Sequence, residues 1–573
     1  MSREIVTDLV DFKEIREKNI LYVDKSDFIE ELLKTGSIVV SIARPRRFGK
    51  TLNMSMLSYF FDMNNGEENK KLFEGLKIER STFFAEQGEY PVINLTLKGV
   101  KEKSWEDCVD RIRSIVADEY SKHKYLIECG DEEKRLDKRD TEYFQNIVEE
   151  KISEVKLKES LKRLSRFLYE YYGKKVVILV DEYDTPITEG EIEGYFKEAS
   201  NFMQGFLGDV LKGISYLRKG VVTGITRLQG AGIFSGLNSP RNHTIFNAAY
   251  KDKFGFTEKE VKDLLKEYNM EEKEESVREH YNGYNFKGET IYNPYSVLCF
   301  IDSGELENFW LSSSSNDLAK IKVTKLLEMR EDETLRKEVE DLLQGKKVQI
   351  EIDEIFKISE EMDSDQIFHL LLCSGYLKYE NYEKNEDNVG YAEISIPNLE
   401  IKAIYKKTIN EWMKGKYSKD EIKDLKKFLI SVCDGEESEI KERLMKYLDR
   451  RSIMDGERVL EMGYHNFLFG LLQGLEGNYL LDSNKESGEG RFDIMLTPIR
   501  GKEGRREMGS GVVIELKVGV KKNLKELSKE ALKQVEDKKY YKTFEAQGIK
   551  KARLIGIAFN KKDVEVSLKS ISL

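Results

Sequence analysis

Very little in this sequence of 573 residues breaks or staples a chain: it has 7 prolines and 5 cysteines. The cysteines (Cys108, Cys129, Cys299, Cys373 and Cys433) stand far apart and form no C-x-x-C pair. A disulfide framework and a thiolate zinc centre are therefore not expected, and a reducing cytoplasm fits. Of the 5 histidines, His465 reads as a core residue and the other four are scattered with no metal-ligand spacing. No segment reaches the ~18 apolar residues of a membrane span, and the opening MSREIVTDLVDFKEIREK holds no signal-peptide core, so no membrane partner is expected. No fixed-period repeat is present, which excludes a solenoid.

What is there is an ordered composition, 40 % hydrophobic and 35 % charged, too long for one core, with about two to four domains as the natural division. A formal net charge of -11 argues against a protein coated with nucleic acid along its whole length. It leaves room for a local basic patch, because phosphate contacts are made locally.

The first part alternates strand-like and helix-like stretches. SIVVSIA (37–43), YPVINLTL (90–97), KKVVILVDEYD (174–184) and LRKGVVTGITR (217–227) read as strands between helical patterns such as TLNMSMLSYFFDM. That order predicts an α/β fold with a mostly parallel sheet. From about 255 to 450 charge-rich helical segments dominate, with one strand pair near GYLKYENYEKNEDNVGYAEISIP. From about 455 a third unit shows an amphipathic helix, a strand with RFDIML, a strand with GVVIELKV and a lysine-rich helix.

After the first strand comes Arg44-Pro45-Arg46-Arg47-Phe48-Gly49-Lys50-Thr51, followed by Leu52. The second half of a P-loop is intact. Gly49 allows close backbone approach, Lys50 suits the β- and γ-phosphates, and the Thr51 hydroxyl suits Mg²⁺. The pattern's first glycine is replaced by Arg44, and G-K-T alone is a weak signal. The third strand strengthens it, because Asp181 and Glu182 end an apolar run where two acids would be costly without a cation or polar partner. Asp181 is placed to hold Mg²⁺ and Glu182 to orient the attacking water of an ATPase. Arg227, ending the fourth strand, fits either a γ-phosphate contact or a salt bridge to a carboxylate.

The third unit carries a second constellation. In GVVIELKV, Glu515 and Lys517 share one face of a strand, while Ile514, Leu516 and Val518 share the other. If this strand pairs with the one opened by Gly490-Arg491-Phe492-Asp493, Asp493 meets Glu515. Two carboxylates and a lysine would then converge, a donor set suited to Mg²⁺ and phosphodiester hydrolysis. Residues 500–551 hold fifteen Lys/Arg against eight Asp/Glu, which fits either a phosphate-facing stripe or a solvated helix face.

YVDKSDFI (22–29), ARPRRFGKTLNMSML (43–57), LVDEYDTPI (179–187), TGITRLQGAGIFSGLNS (223–239), YNGYNF (281–286) and YNPYSVL (292–298) closely resemble the bacterial AAA-ATPase-like family. In that family R-P-R-R-F-G-K-[ST] is the usual P-loop, and members typically carry a C-terminal PD-(D/E)XK nuclease-like domain. The resemblance implies ATP as cofactor with Arg46, Arg47, Phe48 and Leu52 in the nucleotide site, and Arg227 as a nucleotide sensor. It also implies Glu461 as a helical metal-shell glutamate and Gln534 as an accessory catalytic residue, with Tyr540 and Tyr541 in the Q…KY ending.

Three units are expected. These are a P-loop AAA-ATPase-like domain (1–255), a helical connecting region (256–450) with a possible winged-helix-like module, and a restriction-endonuclease-like α/β domain (451–573). The function expected is ATP binding and hydrolysis coupled to Mg²⁺-dependent (or Mn²⁺-dependent) cleavage of DNA or RNA. The alternative is an ATP-gated switch whose nuclease fold only recognises nucleic acid. A homo-oligomer is also expected as a partner form, since an arginine from a neighbour often completes such ATPase sites.

Overall fold

The computed structural model describes residues 3–128, 135–211, 215–225, 241–310, 338–339, 341–343, 345–352, 362–387, 389–416, 419–449, 464, 468, 471–472, 479–483, 486–487, 490–498, 509–519 and 523–573. Two compact units divide the chain, Met1–Asn410 and Glu411–Leu573.

The first unit is built on a five-stranded, all-parallel sheet. Its strands are β1 (Val39–Ala43), β2 (Val92–Thr96), β3 (Val176–Asp181), β4 (Leu217–Gly224) and β5 (Arg241–His243). They stand in the order β2-β3-β4-β1-β5. The four strands expected from sequence are β1 to β4, and β5 is an added edge of only three residues. Every residue of β1 and β3 is buried, Ser41 and Asp181 included, as in strands covered on both faces. The helices Trp105–Ser121, Ser160–Tyr172 and Phe196–Leu211 turn their apolar sides to one continuous core.

Two buried charges finish this sheet. The Glu119 carboxylate accepts the N–H of Asn94 on edge strand β2 at 2.9 Å, a group that would otherwise go unpaired. Lys219 in β4 donates to the carbonyls of Leu32, Thr35 and Ser37. Burial pushes its ammonium down to about 8.

The middle of the chain contains more β structure than the sequence predicts. Alongside helices such as Glu258–Glu267 and Pro294–Ser303 there is a small antiparallel sheet, in the order β6-β8-β7. Its strands are β6 (Phe256–Thr257), β7 (Tyr284–Phe286) and β8 (Glu289–Tyr292). The expected strand pair is β10 (Lys378–Lys384) with β11 (Gly390–Ser395), and β9 (Val348–Ile352) adds a third strand on β11. The strands β6 to β8, of two to four residues, give too few alternations to stand out in sequence, whereas β9 alternates cleanly as VQIEI.

The second unit holds β12 (Tyr479–Ser483), a short β13–β14 pair (Glu486–Ser487, Gly490–Arg491), β15 (Ile494–Pro498), β16 (Gly511–Val518), β17 (Lys551–Asn560) and β18 (Asp563–Ser572). The main sheet runs β12-β15-β16-β17-β18, antiparallel except for the parallel β16–β17 pair. The lysine-rich helix Leu524–Lys538 makes the crossover between those two strands. It lies so close that a methyl on Gly556 of β17 would come within 2.2 Å of the Ser528 carbonyl oxygen. The outer strand β18 is covered in turn: Glu437 accepts the Leu568 N–H at 2.7 Å, and Lys441 pairs with Glu565. Among the described residues, no helix is long and apolar enough to cross a membrane.

Candidate nucleotide site and candidate metal centre

The first site forms where β1 runs into the helix Lys50–Phe61. Arg47 (φ 67°) and Gly49 (φ 81°) both take the left-handed conformation, and Gly49 caps the helix. This sharp turn leaves the first N–H groups of the helix aimed at one point, a ready anion site. Lys50 is buried, and its ammonium donates to the carbonyls of Arg44 (3.0 Å) and Pro45 (2.9 Å). Burial lowers its pKa, opposed by the charges of Glu182, Asp181 and Asp184.

The end of β3 delivers the acids to the same place. The Thr51 hydroxyl donates to Asp181 Oδ2 at 2.7 Å, and the Thr223 hydroxyl at the end of β4 donates to Asp181 Oδ1 at 2.5 Å. Burial, reinforced by the neighbouring Glu182 charge, raises the Asp181 pKa. Glu182 itself is left-handed (φ 52°), and its N–H donates to Thr223 Oγ1 at 3.4 Å. Asp184 accepts the Ile225 N–H at 2.7 Å. The structure therefore brings Lys50, Thr51, Asp181 and Glu182 together. Arg227 lies outside the described residues.

The remaining loop residues have different surroundings. Phe48 is fully buried against Tyr284 and Phe286, with ring centroids 5.0 and 5.6 Å away. Leu52 packs against the core. Arg46 is close enough for its charge to oppose that of Lys50. The Arg47 guanidinium lies 4.4 Å from the ring centroid of Tyr295.

Arg44, where the P-loop pattern has glycine, is an internal strut. It is fully buried and donates to the carbonyls of Ala43 (2.8 Å), His243 (2.9 Å), Tyr250 (3.1 Å) and Ala249 (3.4 Å). Its guanidinium also lies over Phe254 and Phe286. Burial lowers its pKa to about 10, so it stays charged at neutral pH, with backbone oxygens on both terminal nitrogens and its Nε buried without a partner.

Thr223 and Asp184 are site residues that the sequence reading passes over. The available signal was slight: a hydroxyl inside the apolar run GVVTG, and a second aspartate three positions after Asp181.

The second site lies on the sheet of the other unit. β15 and β16 pair with Ile494 opposite Ile514, a register that sets Asp493 beside Glu515. Asp493 Oδ2 accepts the Leu516 N–H at 2.7 Å. Glu515 is buried, and Lys517 Nζ lies 4.0 Å from its Oε1. The Gln534 amide donates to Glu515 Oε1, and its nitrogen lies 3.5 Å from the Tyr540 hydroxyl. Burial raises the Tyr540 pKa, with Gln534 acting against it. Asp493, Glu515, Lys517 and Gln534 thus converge. Glu461 lies outside the described residues.

Comparison with known proteins finds matches over the two regions that hold these residues. Residues 7–234 match the family model described as a predicted AAA-ATPase, and residues 459–568 match that of the PD-(D/E)XK nuclease superfamily. A protein from Azotobacter chroococcum mcd 1, named "Uncharacterized protein in vnfD 5'region", is 25% identical over 309 residues. The match covers 53% of this chain and 53% of that protein, so the chain spans about half the length of that relative. No solved structure matches. The chain carries an AAA-ATPase-like domain over residues 7–234 and a PD-(D/E)XK nuclease superfamily domain over residues 459–568.

Proposed function

We propose that this protein binds ATP with Mg²⁺ at the phosphate loop, hydrolyses it, and uses the nucleotide state to control metal-dependent cleavage of nucleic acid. The contact that carries the reading is Thr51 to Asp181, 2.7 Å, set beneath the left-handed Gly49 turn. A hydroxyl and a carboxylate are hard oxygen donors that suit Mg²⁺, and the N–H groups and Lys50 beside them suit a polyphosphate.

In this reading Lys50 and the helix N-terminus take up phosphate charge, and Thr51 with Asp181 hold the metal. Mg²⁺, when bound, supplies neutralisation of charge on the phosphate oxygens. Thr223 keeps Asp181 aimed, and Glu182 orients a water.

At the other site Asp493 and Glu515 supply oxygen donors for Mg²⁺ or Mn²⁺. A metal bound there lowers the pKa of a water. Gln534 fixes the rotamer of Glu515, and Lys517 places positive charge beside the scissile phosphate. DNA or RNA is the substrate class that this chemistry serves.

The experiment is cleavage of plasmid DNA, single-stranded DNA and RNA by purified protein. It is run with Mg²⁺ or Mn²⁺, with and without ATP, beside Asp493→Ala and Lys50→Ala. Cleavage lost in Asp493→Ala and altered by ATP is the expected result. ATP binding with no cleavage of any substrate would instead leave a nucleotide-gated switch with a non-cutting recognition domain.

A further inference from the structure

Two sequence segments, Tyr281–Phe286 and Tyr292–Tyr295, belong to neither site, yet both reach the phosphate loop. The first delivers Tyr284 and Phe286 to Phe48. Gly283 (φ 106°) is needed there, because a methyl on it would come within 2.3 Å of the Pro397 carbonyl oxygen.

The second segment delivers Tyr295. Asn293, fully buried, caps the helix Pro294–Ser303 by accepting the N–H groups of Tyr295 (3.0 Å) and Ser296 (3.5 Å). Pro294 opens that helix with its φ already set. Tyr295 is thus fixed by a cap and a proline at the point where its ring meets the Arg47 guanidinium, 4.4 Å from the centroid.

Arg47 is the strained member of the pair. Its φ of 67° is one that a residue with a Cβ adopts at a cost, and Gly49 repeats the left-handed turn two positions on. The loop therefore asks an arginine to do what glycine does freely. An aromatic face under the guanidinium offsets that cost.

We propose that Tyr295 is a positioning residue of the nucleotide site, whose ring holds Arg47 and through it the left-handed turn that shapes the phosphate loop. The assignment rests on the ATP reading above. Arg47 acts here through loop shape and not as a ligand of the terminal phosphate, so ATP and ADP feel its loss alike.

The test is calorimetric binding of ATP·Mg²⁺ and ADP·Mg²⁺ to the full chain, with thermal unfolding of each variant as a check on folding. Y295F keeps the ring and binds within about twofold of the unaltered protein. Y295L and R47A each weaken both nucleotides by about fivefold, and the double variant is no weaker than either single one. R47G, whose backbone takes the turn unaided, binds more tightly than R47A. This last comparison stands even if Y295L fails to fold.

Wild-type affinity in Y295L, additive losses in the double variant, loss confined to ATP, or R47G no better than R47A would each overturn the assignment. No nucleotide binding by the unaltered chain would overturn the ATP reading together with it. ATP binding that ignores Tyr295 would overturn the positioning role alone.

Discussion

The Thr51 hydroxyl donates to the Asp181 carboxylate at 2.7 Å, across 130 residues of sequence. The end of one buried strand and the start of the helix after another are thereby joined through two oxygen donors, with Thr223 holding the second carboxylate oxygen.

If that pair holds Mg²⁺, Thr51→Ala and Asp181→Asn each lower ATP hydrolysis by about a hundredfold, while Thr51→Ser retains most of it. Phosphate release measured against Mg²⁺ concentration checks this. Equal rates in Thr51→Ala and the unaltered protein would remove Thr51 from the site.

Arg44 offers the opposite kind of test. Replacing it with the glycine of the usual P-loop pattern strips hydrogen bonds from four backbone carbonyls, of Ala43, His243, Ala249 and Tyr250. The expected loss is about 3 kcal/mol of stability, read from denaturant unfolding. A neutral or stabilising Arg44→Gly would show that these carbonyls find other partners.

At the nuclease-like centre, Gln534→Ala frees Glu515 to leave its present rotamer. The metal concentration giving half-maximal cleavage should rise about tenfold to a hundredfold. A Mn²⁺ titration of cleavage measures it, and an unchanged midpoint would mean that Gln534 does not orient the carboxylate.

Glu400 predicts a pH dependence. It is buried, accepts the Trp310 N–H at 2.8 Å and the Ser296 hydroxyl at 2.9 Å, and burial raises its pKa from 4.5 to about 7. Between those values the folded state holds the proton more tightly than the unfolded one, so stability falls as pH rises from 4.5 to 7 and levels off above. The contribution is about 3 kcal/mol. Unfolding free energies of the unaltered protein and Glu400→Gln, compared at pH 5 and pH 8, should diverge by about that amount in favour of the variant at pH 8. Parallel pH profiles would refute it.

Much of the architecture could be read from local pattern. β3 is an apolar run up to its closing Asp181 and β1 is apolar apart from Ser41, and the alternation in GVVIELKV is enough to put Glu515 and Lys517 on one face. The register of β15 on β16, with Ile494 opposite Ile514, then brings Asp493 in.

Long-range partnership was out of reach. Arg44 looks like a defect in the P-loop until residues 243–250 supply its carbonyls. Thr223 is one hydroxyl in an apolar strand until β4 is set beside β3. The strands β9, β17 and β18 carry a visible signal in the alternating VQIEI and in RLIGIAF and VEVSL, whereas β6 to β8 are too short to give one.

The parallel sheet also has a consequence for synthesis of the protein. Among the described residues β1 pairs with β4 and β5 alone, so Val39 must wait for Gly220 to be made. At about 5–20 residues per second, the roughly 180 residues between them take about 10 to 40 s to emerge. Throughout that interval VVSIA is an apolar strand without a neighbour on either side, ahead of a phosphate loop that cannot yet be shaped. The nascent chain is therefore most exposed to aggregation early in translation, and a chaperone that shields residues 39–43 would act before residue 220 leaves the ribosome.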